Sequence, residues 1–154
     1  MKKTAMSMVA VLSLAGAATA VAADAQIGTW KLNEAKSKIS AGAPKNRTVV
    51  YEMAGDSVKV TVDGVDGNGQ ALHNEWTGKY DGKDYPLTGD PGADTRAYTK
   101  VDDRTLTITQ KKAGKVVTMG KIVIAADGKS RTVTTSGTNA QGQKISSSAV
   151  YDKQ

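Results

Sequence analysis

The chain has 154 residues with 5% aromatics, no Phe and no Cys, which excludes disulfide staples, thiol catalysis and cysteine-based zinc centres. Its only histidine is His73, so favoured zinc ligands are too few and acid–base chemistry is sparse. The formal charge of +6 is scattered, with only Lys111, Lys112 and Lys115 crowding one turn; that is a solvated hairpin end, not the basic, aromatic-interleaved surface that nucleic acid requires.

Met1, Lys2 and Lys3 precede an almost uncharged stretch over 4–23, rich in Ala, Val and Leu and ending in small residues. This is the order of a secretory signal: charged region, apolar region, cleavage zone. The apolar part, 5–18, is shorter than the roughly 20 residues that cross a bilayer, so stable membrane insertion is not expected. Small residues fit the cleavage rule at Ala18/Ala20, Ala20/Ala22 and Val21/Ala23, and cleavage after Ala23 is preferred. The reading is therefore a signal-peptide helix over 1–23 and one domain over 24–154, exported to the periplasm of a bacterium or secreted. Removing Lys2 and Lys3 lowers the basic count from 21 to 19 against 15 acidic residues, a balance of +4. The remaining chain of about 130 residues can bury roughly two thirds of its unfolded surface in one core.

After the signal, strand patterns fill nearly everything. Residues 29–32 read as a first strand, and Asn33 is expected to cap a short helical turn through Glu34, Ala35 and Lys36 before Gly42 and Pro44 break it. The run over 48–53 is β-branched and aromatic; Val58, Val60 and Val62 then alternate with Lys59, Thr61 and Asp63, which predicts a hairpin with one buried face. Strands follow over 72–80, 85–88, 96–101, 105–110, 115–125, 131–136 and 144–151, separated by Gly-, Asp- and Asn-rich turns. About ten short strands joined by tight turns predict an all-β antiparallel meander, and such a meander protects its edges best by closing into a barrel, the alternative being a sandwich, whose strand pattern is alike. Apolar residues fall on both faces of 116–124 with Gly120 between them, which predicts a bulge or bend there. The stretches 64–70 and 137–143 share a Gly, four residues and Gly-Gln, best explained as one turn chemistry used twice.

Catalytic candidates are few. His73 and Glu75 lie two apart on one predicted strand and so share a face, but no Gly-x-Ser-x-Gly elbow is present and no catalytic residue is assigned. Asp63, Asp66, Asn68 and Gln70 partly match a calcium loop, yet the position that should carry a bidentate Glu is Thr77, and turn chemistry accounts for them. Asp81, Asp84, Asp90 and Asp94 are read likewise. No metal and no cofactor are implied, and the chain is not expected to be an enzyme.

Gly28-Thr29-Trp30 stands at the start of the domain, and Tyr151-Asp152-Lys153 near its end. The chain thereby resembles the calycin superfamily, the lipocalin-like and fatty-acid-binding-protein-like barrels, in which a Gly-x-Trp opens the first strand and plugs one end. The resemblance implies a lipocalin-like barrel of about 8–10 strands, with Trp30 as the barrel-closing residue. The stretch 33–46 is too short for the paired lid helices of fatty-acid-binding proteins, and no carboxy-terminal helix of lipocalin type follows Tyr151. The small strand residues, mainly Val, Thr, Ser and Ala, leave room for a cavity or equally give a narrow, filled barrel without a ligand. Leu72, Trp76, Tyr80, Tyr85 and Tyr98 are the candidate ligand wall, because Leu72, Trp76 and Tyr80 share a face of one predicted strand. The expected function is binding of a small apolar or amphipathic molecule by a monomer, without catalysis. The alternative is an envelope protein-interaction module, like a protease-inhibiting calycin or a structural surface protein, acting through the loops at 64–69 and 89–94.

Overall fold

The computed structural model describes residues 24–154, so the signal peptide and its cleavage site lie outside the described residues. The chain forms ten strands: β1 (Gly28–Ile39), β2 (Lys45–Ala54), β3 (Ser57–Val65), β4 (Ala71–Gly78), β5 (Tyr85–Thr88), β6 (Thr95–Asp102), β7 (Thr105–Lys112), β8 (Lys115–Ile124), β9 (Ser130–Thr138) and β10 (Lys144–Lys153). Each pairs antiparallel with its sequence neighbours, and β1 also pairs with β10 through Trp30↔Lys153 and Leu32↔Tyr151. That pairing closes the barrel and removes both free edges.

The alternation in the sequence decides what faces inward. Val58, Val60 and Val62 of β3 are buried together with Val49 and Tyr51 of β2, Trp76 of β4, Leu106 of β7, Ile122 and Ile124 of β8, and Ala149 and Tyr151 of β10. Each buried aliphatic side chain contributes about 1.5–3 kcal/mol relative to exposure, and with no disulfide available this burial carries the stability.

Two expectations are corrected. The segment after Asn33 is not a helical turn; β1 runs extended through it, and four residues on β1 stand against the single Ala149 of β10, between Asn33↔Val150 and Lys38↔Ser148. One helical turn fixes several dihedrals for a single hydrogen bond, whereas the bulge keeps the ladder on both sides. Asn33 does act as a local acceptor: its Oδ1 takes the Lys36 N–H at 3.2 Å, and its carbonyl takes the Ser37 hydroxyl at 2.7 Å. Ser37 Oγ in turn accepts the Val150 N–H at 2.9 Å, standing in for the missing ladder partner. The second correction concerns β8. Its irregularity falls at Val117, between the pairs Gln110↔Thr118 and Lys111↔Val116, while Gly120 keeps regular pairing with Ile108 and Thr135. Gly120 is there for close approach, because a Cβ would lie 2.4 Å from the Thr134 carbonyl oxygen.

The echoed stretches are the same turn built twice. Asp66 Oδ1 accepts from the Asn68 and Gln70 N–H groups, both at 2.9 Å. Asn139 Oδ1 accepts from the Gln141 and Gln143 N–H groups at 3.1 and 2.9 Å. Gly69 and Gly142 follow at positive φ, 81° and 76°, which a residue with a Cβ adopts only at a cost. The acidic side chains of the other turns are occupied in similar ways. Asp90 Oδ1 accepts from Gly92 N at 2.8 Å, Asp81 Oδ1 from Lys83 N at 3.1 Å and Asp94 Oδ2 from Ala113 N at 2.9 Å, while Asp84 pairs with Lys111 at 2.7 Å.

Candidate functional site

One end of the barrel is sealed. Trp30 is completely buried, and its indole N–H donates to the Gln26 carbonyl at 2.8 Å. The Arg131 guanidinium lies over its ring at 4.7 Å, over Tyr51 at 4.8 Å and over Tyr151 at 5.2 Å. Arg131 Nη1 also donates to Gln26 Oε1 at 2.9 Å. A cation surrounded by three ring faces is partly repaid for its lost water, so this cluster forms a rigid floor.

Above the floor lies a cavity of about 100 Å³, bounded by Tyr51, Arg96, Tyr98, Gln110, Thr118 and Thr135 among others. It shares Pro44, Gln110, Thr118 and Ile145 with a wider space of about 340 Å³ at the opposite end, under the two echoed turns and the segment around Pro91. The interior is therefore graded, with aromatic rings at the bottom and hydroxyl and amide groups toward the mouth. A dry engineered cavity of about 150 Å³ takes one benzene, so the inner space of about 100 Å³ accepts only a group smaller than that ring, and a larger molecule needs the wider space beyond it.

The five candidate wall residues divide. Tyr98 faces the inner cavity, and Leu72 lines the mouth. Trp76 is buried beside them, donating its N–H to the Arg96 carbonyl at 2.8 Å and meeting Tyr98 edge-on at 4.8 Å and Tyr85 at 5.7 Å. Tyr80 follows the end of β4 and packs on Tyr98 at 5.9 Å, and the Tyr85 hydroxyl donates to Asp81 Oδ2 at 2.8 Å. Trp76, Tyr80 and Tyr85 thus buttress Tyr98 as one edge-to-face cluster, each pair adding about 0.5–1.5 kcal/mol beyond its burial. Burial first, and then the neighbouring Tyr51, hold the Tyr98 hydroxyl far above the ordinary tyrosine range. Tyr151 is pushed up to about 12 by burial, against the opposing pull of Arg131.

Three interior polar residues escaped the sequence reading. Arg96, Asn74 and Arg131 are all buried. Arg96 shares the inward face of β6 with Tyr98, and Asn74 shares that of β4 with Leu72 and Trp76, so strand parity was the available signal. The Gln110 amide satisfies its neighbours with its oxygen turned to Arg96, accepting from Nε at 3.0 Å and Nη2 at 2.8 Å. Arg96 Nη2 also reaches Asn74 Oδ1 at 3.5 Å.

His73 and Glu75 stand apart from the cavity, on the outer face. Their side chains are 58% and 44% exposed, with His73 Nδ1 at 2.5 Å from Asp63 Oδ1 and Nε2 at 3.7 Å from Glu75 Oε1. The hydrogen bond to Asp63, then its charge, raises the imidazole above its ordinary 6.5.

No family model matches the chain, and no curated protein does. Among solved structures, EF1p2_mFAP2b bound to DFHBI aligns with a TM-score of 0.52 at 12% identity, covering 86% of this chain and 97% of that one. A redesigned beta barrel, mFAP1, bound to DFHBI, aligns at 0.46 with 14% identity over 84% and 95%. At such identities the first alignment speaks for the fold alone. The chain forms a closed, ten-stranded antiparallel β-barrel with an interior cavity.

Proposed function

We propose that this protein is an exported, calycin-like barrel that binds a small amphipathic molecule without transforming it. The observation that carries the reading is the graded interior, an inner cavity of about 100 Å³ that shares Pro44, Gln110, Thr118 and Ile145 with a wider space of about 340 Å³ under the turns of one end. A barrel built only for stability is filled by its side chains, whereas this one keeps space between Tyr98 and the mouth loops. The Gly28-Thr29-Trp30 segment, with Trp30 closing one end as in calycins, supports the kinship. The structurally similar EF1p2_mFAP2b, whose structure is bound to DFHBI, is a precedent for a small molecule bound by this architecture. Export rests on residues 1–23.

The direct test is Nile red, an uncharged dye whose emission shifts in apolar surroundings, titrated into the protein recovered from the envelope of cells expressing the full chain. Saturable enhancement at one dye per chain is expected, together with a native mass that reports the cut after Ala23. A chain that is free of small molecules and leaves the dye unchanged would remove the carrier reading and move attention to the mouth loops as protein contacts.

A further inference from the structure

We infer that Asn68 is a site of spontaneous covalent modification, deamidation through a cyclic imide, and that Asp66 sets its rate. The inference goes beyond the carrier reading and does not depend on it.

Of the asparagines in the chain, Asn68 alone is followed by Gly, and both residues are exposed. Glycine places no side chain beside its own backbone nitrogen, so the Gly69 nitrogen can reach the Asn68 amide. In mildly alkaline water the Gly69 N–H gives its proton to hydroxide, and the nitrogen attacks Asn68 Cγ. The N–Cγ bond forms, the Cγ–Nδ2 bond breaks, and Nδ2 leaves as ammonia after taking a proton from water, which restores the hydroxide. One water then opens the imide ring. Breaking the N–Cγ bond gives an aspartyl residue, and breaking the bond from the Gly69 nitrogen to the Asn68 main-chain carbonyl carbon gives an isoaspartyl one. The balance is one water consumed and one ammonia released.

The turn restrains this reaction. The N–H of the attacking nitrogen donates to the Asp66 carbonyl at 3.0 Å, and Asp66 Oδ1 accepts the N–H groups on either side, from Asn68 and Gln70, both at 2.9 Å. Ring closure requires the Gly69 N–H to leave its acceptor, and exposed segments with few packed contacts open at the lowest free energy. Asp66 is the clasp that fixes how often this turn opens. The echoed turn is an internal control. Gly142 N donates to the Asn139 carbonyl at 3.0 Å, and Asn139 Oδ1 accepts from Gln141 and Gln143, but the residue before Gly142 is Gln141. Its extra methylene adds a rotation that closure must freeze, so the same fold is chemically quiet there.

The modification falls at the mouth of the barrel. Asn68 borders the wider space, where Asp66 and Asp90 are the only charged side chains among the described residues around it, and deamidation adds a third carboxylate. The isoaspartyl form also lengthens the backbone next to Gly67, which lies so close to the β1–β2 connection that a Cβ would sit 2.1 Å from the Gly42 carbonyl oxygen.

The test is a time course of the purified protein in warm, mildly alkaline buffer, read by peptide mass spectrometry with fragmentation. Replacing an amide NH2 by OH adds about 1 Da. The gain is expected at Asn68, growing with time and with pH, while Asn74, Asn139 and Gln141 keep their masses. Asp66→Ala removes the acceptor of two N–H groups and is expected to speed the gain at least about tenfold. Asp66→Ser, whose hydroxyl can accept the same groups, should fall between, and Asn68→Gln should abolish the gain. An Asn68 that stays intact in the folded protein while the urea-unfolded chain deamidates there overturns the inference, as does equal conversion at Asn139. An Asp66→Ala rate equal to that of the unaltered chain removes Asp66 as the clasp. Should Asp66→Ala fail to fold, Asp66→Ser and the folded-to-unfolded ratio of the unaltered chain still decide. The readout is mass and needs no ligand, so this time course and the Nile red titration fail independently.

Discussion

The Arg131 guanidinium stands 4.7 Å from the centre of the Trp30 ring, on β9 and β1 respectively, and through this contact the first and ninth strands of the barrel are joined across its floor. Trp30 fills the end, and its indole N–H holds the segment before β1 through the Gln26 carbonyl. Removing the ring takes away packing, a hydrogen bond and the partner of a buried cation at once. Trp30→Ala is expected to cost about 3–5 kcal/mol, read as a fall in the urea midpoint. Met119→Ala, on the exposed outer wall, should stay within about 0.5 kcal/mol. Equal midpoints for the two variants would show that the floor does not hold the barrel together.

The buried tyrosines predict an alkaline limit. Tyr151 is pushed up to about 12 and Tyr98 further, in both cases chiefly by burial, from an ordinary value of 10.0. A raised folded value means that the neutral phenol is favoured in the native state. The stability it contributes is present in full below pH 10 and is lost as pH rises through the folded values. Ultraviolet titration should therefore show tyrosinate signal that rises together with loss of native circular dichroism between pH 10 and about 12. Ionisation of Tyr98 and Tyr151 near pH 10 with the barrel intact would contradict the buried floor and wall.

How far the fold was legible follows from period and parity. Val58, Val60 and Val62 alternate with polar partners, and the turn residues fall at regular intervals, so strand number and closure could be read before any coordinate. The bulge in β1 could not. Glu34, Ala35 and Lys36 are good helix formers, and only the long-range pairing with β10 overrides that preference. Trp76 and Tyr98 were legible as large inward-facing rings, but Arg96 was not singled out, because a basic residue on a strand is ordinarily a solvated one. Its inward position is fixed by sharing a face with Tyr98, and its amide partners Gln110 and Asn74 lie on β7 and β4, contacts that no local pattern encodes.

His73 predicts a pH dependence of the same sign in a lower range. Its imidazole value is raised above 6.5 by the Asp63 hydrogen bond and then by its charge, so the protonated form is favoured in the folded protein. That contribution is present in full below the unfolded value and fades as pH climbs through the folded one. Because the pair is exposed, salt should weaken it. Proton NMR titration should place the His73 midpoint above 6.5 at low salt and return it toward 6.5 in Asp63→Asn. A midpoint indifferent to that substitution would mean that the two side chains do not pair in solution. Dye binding should not follow this titration, since His73 lies on the outer face and the cavity on the other.

Gly120 offers the sharpest steric test. It pairs regularly with Ile108 on one side and Thr135 on the other, yet an added Cβ would meet the Thr134 carbonyl oxygen at 2.4 Å, the Thr135 Cγ2 at 2.8 Å and the Ile108 Cγ2 at 3.0 Å. The side-chain atoms could rotate aside, but the carbonyl belongs to the neighbouring strand and can move only by shifting β9. Overpacking of this kind costs about 1–3 kcal/mol, and the higher β propensity of Val does not offset it, because that scale spans only about 1 kcal/mol. Gly120→Val is therefore expected to lower the thermal midpoint despite being the better strand former. Gly114→Asn supplies the contrast. Gly114 sits at a positive φ of 78° with nothing within 4 Å of its Cβ position, and Asn tolerates that conformation, so the variant should melt close to the unaltered chain. If Gly120→Val melted higher than the parent, the close approach of β8 and β9 would have to be softer than the backbone contact implies.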